Sequence, residues 1–285
     1  MTTRPTARPR RAARSGTART KPTDQTASSR PPQGRNYLST TIQKAFDILN
    51  LFKDHTELPF REIQQQLGFN KSTLFRLLYT LEQNQYVTKS ESGKYHLGLR
   101  LFILGNSFSR ESQILKVATP YLKELSQKIN LTVHLGILEG TNVVILHRID
   151  PPNGIRMLSR IGLAVPAHCT GQGKALLAFS SGEKVEEIIN FHGLKRFTPN
   201  TITTAEGLFE ELKLTRQRGY AIANSEHEKH IKCVAVPVLN RQGGAEAALS
   251  ITGLVVDFPA EQTIETYASL LQGIAANISR ELGFA

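Results

Sequence analysis

Residues 60–83, FREIQQQLGFNKSTLFRLLYTLEQ, constrain this chain more than any other stretch. Phe60, Ile63 and Leu67 recur at the spacing of one helical face, and Leu74, Leu77, Leu78 and Leu81 do so again. Between the two runs lies Gly68-Phe69-Asn70. Gly68 suits a left-handed helix stop, and Asn70 suits the cap of the next helix. Two helices around a short, glycine-containing joint are the helix-turn-helix plan. The second helix opens with Lys71, Ser72 and Thr73, and Arg76 follows one turn later. In that plan this end of the helix enters a DNA major groove. An amphipathic helix pair is also an ordinary packing unit, and the segment alone does not choose between the two.

What surrounds the pair favours DNA. A helix is expected from Ser39, with Ile42, Ala45, Phe46, Leu49 and Phe52 as its apolar stripe. Pro59 suits the first turn of the next helix. After the pair, Tyr86-Val87-Thr88 and Lys94-Tyr95-His96-Leu97 are β-prone runs around a polar turn that contains Gly93. Helix, helix-turn-helix and hairpin together form a winged helix-turn-helix over residues 37–98. Lys89 and Lys94 fall on the wing, within reach of a phosphate; an exposed strand lysine is the plainer alternative.

Charge is unevenly placed. The 285 residues carry a formal +11, and residues 1–36 hold nine Arg or Lys against Asp24 alone, a net of +8. Residues 37–98 carry seven basic side chains against six acids. The tail has almost no aliphatic side chains, so it cannot bury enough apolar surface to offset its ordering entropy. It is read as disordered, either gripping DNA phosphates without sequence preference or simply solvated. It lacks the apolar segment of a secretory signal, and no apolar run is long enough for a membrane helix. A cytoplasmic location is therefore expected, with Cys169 and Cys233 as free thiols.

Residues 99–112 read as an apolar linker helix whose side chains need cover, and a second copy of the chain is one candidate. Residues 113–285 are mixed. Ile114, Ala118, Tyr121, Leu122, Leu125 and Ile129 mark a helix that Pro120 should start or kink. Hairpins are expected at 131–149 and 233–251. Helices are expected at 171–179, 182–191 and 205–218, and a terminal helix on Ile264, Tyr267, Leu271, Ile274 and Ile278. The fold class is α+β, with an antiparallel sheet and helices in the second domain.

His168-Cys169-Thr170-Gly171-Gln172-Gly173-Lys174 admits three readings. It has the GK of a P-loop, but His168 stands where the first glycine belongs and Ala175 replaces the hydroxyl that holds magnesium. A metal or nucleophilic site would draw on Cys169, Cys233, His134, His147, His227 and His230, yet none has CxxC or HExxH spacing. The third reading is an anion pocket. Thr170 caps the helix that begins at Gly171, and helix N-termini bind carboxylates. Ser250 and Thr252, two apart on a strand, face one side. Those hydroxyls could equally satisfy neighbouring backbone.

Taken together, KSTLFRLLYTLE at 71–82, KYHLGLRLFILG at 94–105, AHCTGQGKALLA at 167–178, RGYAIANSEHEKHIKCVAVPV at 218–238 and AALSITG at 247–253 make the chain resemble the IclR family of bacterial transcription regulators, from about Tyr37 to Phe284. The resemblance implies a winged helix-turn-helix followed by a GAF-like effector domain. It implies dimers or tetramers on palindromic double-stranded operators, no enzymatic activity, no cofactor, and a small organic acid as effector. It places Lys71, Ser72, Thr73 and Arg76 at the DNA, and Gly171, Gln172, Cys233, Ser250 and Thr252 around the acid. Asn224 joins that set from a segment, Ala223-Asn224-Ser225, where relatives often carry acids. That departure leaves the effector open: a keto acid, a sugar acid, an aromatic acid, or none. The different-class alternative is an enzyme or metal-binding protein built on the C-terminal Cys and His residues.

Overall fold

The computed structural model describes residues 38–153 and 159–284. The basic tail expected at residues 1–36 lies outside them. The chain divides into two compact units, one ending at Leu97 and the other running from Gly98 to the C-terminus and taking in residues 84–86.

In the first unit, α1 (Thr40–Leu51) is capped by the Ser39 hydroxyl, which accepts from the Ile42 N–H. Its buried side matches the expected stripe only in part. Ile48 is fully buried and Phe52 nearly so, while Ile42 and Phe46 remain more than half exposed. Leu58–Pro59 then form a short strand, β1, before α2 (Phe60–Leu67). Pro59 therefore ends a strand and caps the helix rather than lying in its first turn. Proline is tolerated there because an edge position needs no N–H. Gly68 stops α2 with φ +66°, a conformation free of penalty only for glycine. The Gln64 amide donates to Phe69 O at 3.1 Å and holds the turn. Asn70 Oδ1 accepts from the Thr73 N–H at 2.8 Å and opens α3 (Lys71–Gln83). β2 (Val87–Lys89) and β3 (Lys94–Leu97) pair antiparallel, and β1 adds to β3, so the wing is a three-stranded sheet in the order β1-β3-β2. Leu58, Ile63, Leu74, Leu78 and Val87 fill the core beneath it.

The second unit begins with α4 (Leu99–Glu111), which buries no residue, and α5 (Gln113–Ile129). Pro120 sits inside α5 instead of starting it. The strands that follow are β4 (Thr132–Glu139), β5 (Asn142–Ile149) and β6 (Ala164–Pro166). Three helices come next: α6 (Gly171–Leu177), α7 (Gly182–His192) and α8 (Ala205–Arg218). The chain closes with β7 (Ala221–Asn224), β8 (Ile231–Leu239), β9 (Ala245–Leu254) and α9 (Glu261–Glu281). The strands build one antiparallel sheet in the order β6-β5-β4-β9-β8-β7.

Strand parity splits this unit into two cores. Val234, Val236 and Val238 of β8 and Ala247, Leu249 and Ile251 of β9 pack with α5 and α9. Ala235 and Ala248, from the alternate positions, pack with α6, α7 and α8. Period-2 alternation sends neighbours to opposite faces, and the small residues on the second face let α6 approach closely. Gln172 Nε2 donates to Ala248 O at 3.0 Å across that gap.

Candidate functional site

Two surfaces carry chemistry. The first is the outward side of α3. Leu74, Leu77, Leu78 and Leu81 are buried, which leaves Lys71, Ser72 and Arg76 exposed and Thr73 half-buried. The Ser72 hydroxyl donates to Asn70 Oδ1 at 3.0 Å, so its lone pairs stay available to accept. On the wing, the Lys89 ammonium lies 5.5 Å from the centroid of the Tyr95 ring. Lys94 is not a bare cation: its ammonium is ion-paired with Glu57, which raises its pKa through the hydrogen bond and the charge. Glu57 thus competes with any phosphate for Lys94.

The second surface is a cavity of about 110 Å³ in the second unit, on the α6 face of the sheet. Five of the six residues expected around an acid line it: Gly171 and Gln172 from the start of α6, Cys233 from β8, and Ser250 and Thr252 from β9. They meet because β8 and β9 pair with Cys233 opposite Thr252 and Ala235 opposite Ser250. Thr170 accepts from the Gly173 N–H at 3.3 Å and so caps α6. Asn224 is the correction. It is exposed, it does not line the cavity, and its carbonyl accepts from Asn200 Nδ2 at 3.0 Å. Its neighbour Ala223 points inward instead, because adjacent strand residues face opposite ways.

The cavity has further walls. His134 of β4 is buried, with Nε2 2.8 Å from Ser159 Oγ and Nδ1 3.4 Å from Thr252 Oγ1. Burial, reinforced by the Arg148 guanidinium, holds His134 down at about 4, so it is a neutral imidazole at physiological pH. The signal for it was in the sequence: Val133 and Leu135 belong to one core, so His134 must face the other side. Glu226, His227 and Glu228 also contribute. His227 Nδ1 lies 3.6 Å from Glu228 Oε1, and its proximity lowers the Glu228 pKa. Glu226 Oε1 lies 2.7 Å from the Lys174 ammonium, which is itself only 1 % exposed. Burial pushes the Cys169 thiol up to about 12 and raises Cys233 as well, although the Thr252 and Ser250 hydroxyls and the Gly171 N–H all pull Cys233 the other way. Burial thus favours the thiol over the nucleophilic thiolate at both cysteines. Among the described residues no cluster of His, Cys, Asp and Glu is arranged to hold a metal ion.

Among the described residues no lysine or arginine lines the cavity. The donors that the described lining presents are hydroxyls, amides and an imidazole, beside the carboxylates of Glu226 and Glu228. Hydrogen bonds alone can hold a carboxylate in its charged form.

Comparison with known proteins agrees with this division into a helix-turn-helix face and a sheet-borne cavity. The family model "IclR helix-turn-helix domain" matches residues 41–91, and "Bacterial transcriptional regulator IclR C-terminal" matches residues 107–280. The chain belongs to the IclR family. It is 37 % identical over 246 residues to the HTH-type transcriptional regulator KdgR of Dickeya chrysanthemi, covering 86 % of this chain and 80 % of that one. The crystal structure of the Thermotoga maritima IclR superposes with a TM-score of 0.68 at 33 % identity, covering 86 % of this chain and 99 % of that one. An IclR homolog from Microbacterium hydrocarbonoxydans, solved in complex with 4-hydroxybenzoate, gives a TM-score of 0.75 at 26 % identity over 86 % of this chain and 100 % of that one. This IclR-family chain is a helix-turn-helix transcription regulator, and its curated relatives are regulators rather than enzymes. The α+β fold stands, and the enzyme alternative finds no support. No helix among the described residues is long and apolar enough to cross a membrane.

Proposed function

We propose that the chain binds a palindromic operator as a homo-oligomer in the cytoplasm, with Lys71, Ser72, Thr73 and Arg76 at base edges and phosphates. Residues 37–98 form the DNA-binding domain and residues 113–285 the effector and oligomerisation domain. The observation that carries this reading is α3, whose leucines are sealed inward while Lys71, Ser72 and Arg76 open outward on a capped N-terminus. Lys89 and, against the pull of Glu57, Lys94 add phosphate contacts from the wing. Arg76 suits guanine, with discrimination of about 1–3 kcal/mol for a bidentate contact. The double substitution Lys71→Ala/Arg76→Ala should stay folded and lose operator binding in a mobility-shift assay on DNA flanking its own gene. Retained specific binding would defeat the reading.

The effector is a small carboxylate held in the cavity by Gly171, Gln172, Ser250 and Thr252, with Cys233 beneath them. Asn224 leaves the set, since its side chain does not reach the cavity. The hydroxybenzoate held by one relative supports an acid that also bears a hydroxyl. α4 follows the helix-turn-helix unit directly in the chain and exposes Leu99, Phe102 and Phe108. That apolar face supports a second copy as its cover, with α4 as the relay. Binding alters operator affinity only by favouring one of two conformations. Titration calorimetry of the full-length protein against keto, sugar and aromatic hydroxy acids tests the pocket. Ser250→Ala/Thr252→Ala should abolish the heat of any acid that binds.

A further inference from the structure

The outward side of α3 carries an apolar group that a phosphate-gripping surface does not need. Phe75 is 59 % exposed and Tyr79 54 % exposed. Their rings stack with centroids 6.3 Å apart and planes 16° from parallel. The two are four residues apart, about one helical turn. Ser72 lies three residues before Phe75 and Arg76 directly after it, while the four leucines occupy the opposite side. Phe75 is the fifth residue of α3, so it stands about 6 Å along the axis from Lys71. That is within the N-terminal half that reaches base edges in a helix-turn-helix protein.

The major groove offers one apolar feature among its polar edges, the C5 methyl of thymine, and Phe is a side chain suited to it. We propose that Phe75 reads a thymine methyl in each half-site, beside the base met by Arg76. The inference rests on the operator reading above and adds a specificity residue to it. Tyr79 acts as a positioning residue. Its stacked ring limits the rotamers of Phe75, which reduces the ordering cost of contact. Charge continuity argues for DNA as the occupant. Lys71 and Arg76 flank the rings, and charged groups are depleted from the centres of protein interfaces.

Full-length protein first selects a duplex from a random-sequence library. Each thymine of that duplex is then replaced singly by deoxyuridine, which removes only the methyl group, and affinity is read by fluorescence anisotropy at fixed salt. The wild type should lose about fourfold at one thymine per half-site, the factor for burying a single methyl. Phe75→Ala should bind the thymine and uracil duplexes alike, and Phe75→Leu should keep part of the difference. Because Phe75 is exposed, both variants should retain the wild-type circular dichroism spectrum. Uracil indifference of the wild type, a selected half-site without thymine, or a Phe75→Ala variant that keeps the uracil penalty would each overturn the proposal. So would uracil indifference together with a changed sedimenting mass for Phe75→Ala, which would assign the ring to a contact between copies. Failure to enrich any duplex would remove the operator reading itself, whereas uracil indifference in an enriched duplex removes only the role of Phe75.

Discussion

The Lys174 ammonium lies 2.7 Å from Glu226 Oε1, and both side chains are buried beside the cavity. Glu211 stands 3.4 Å from the same ammonium but has Arg218 at 2.8 Å as a second partner. Glu226 Oε2 is buried without a hydrogen bond from the protein. Lys174 is therefore the principal compensation for Glu226. Removing one member of a buried pair leaves an uncompensated charge and costs about 3–5 kcal/mol. Lys174→Met should destabilise the second unit by that amount. Glu226→Gln should cost less, because Lys174 keeps Glu211. The double variant should recover part of the Lys174→Met loss. Urea unfolding followed by far-ultraviolet circular dichroism measures all three, since the chain has no tryptophan. A Lys174→Met curve superposing on the wild type would show that the pair contributes nothing.

His134 makes a second prediction. Its folded value of about 4 lies below its ordinary 6.5, so between those values the unfolded chain binds the extra proton. Stability from this group is complete above about pH 6.5 and is lost as the pH falls toward 4, to a total of about 3 kcal/mol. Burial lowers His147 and His168 in the same direction, and they add to the slope. His134→Gln should flatten the fall in melting temperature between pH 6.5 and 4. A slope as steep as that of the wild type would assign the acid sensitivity elsewhere.

Elements with a long apolar period were legible in the sequence, and those set by tertiary pairing were not. The leucines of α3 and the stripe of α9 repeat over several turns, so their buried sides could be read directly. β1 and β6 have two and three residues, too few for any period to declare itself. α1 was legible only in part: Phe52 of the expected stripe is buried, but Ile42 and Phe46 are exposed and Ile48, outside the stripe, is buried instead, because burial follows contacts with α2 and α3. In the cavity, the shared side of Ser250 and Thr252 followed from strand parity alone. Asn224 failed on the same rule, since a one-residue difference flips a side chain to the other face. The Lys174–Glu226 pair joins residues 52 apart, and nothing local announces it.

Gly173 is a third point of leverage. A Cβ there would stand 2.0 Å from the carbonyl oxygen of Ala167 and 2.4 Å from its Cα. These are backbone atoms, so no side-chain rotation relieves the overlap. Gly173→Ala should displace the start of α6, carry Gly171 and Gln172 out of place, and cost about 3 kcal/mol, the upper part of the usual range for overpacking. Effector binding should be lost even at temperatures where the variant stays folded. A variant with wild-type melting temperature and effector heat would contradict the close approach.

The uneven charge supplies the last prediction. Residues 1–36 carry a net +8, whereas residues 37–98 carry only seven basic side chains against six acids, and one of the seven, Lys94, is paired with Glu57. The helix-turn-helix unit alone therefore has few cations with which to release counterions. Each phosphate neutralised adds about 0.9 to the slope of log affinity against log salt. Deleting residues 1–36 should make that slope shallower and weaken binding to every duplex, while the ratio between operator and random DNA stays nearly constant, because phosphate contacts carry no sequence information. Anisotropy titrations at several salt concentrations separate the two effects. An unchanged slope would mean that the tail does not touch DNA, and a reduced operator-to-random ratio would mean that it reads bases.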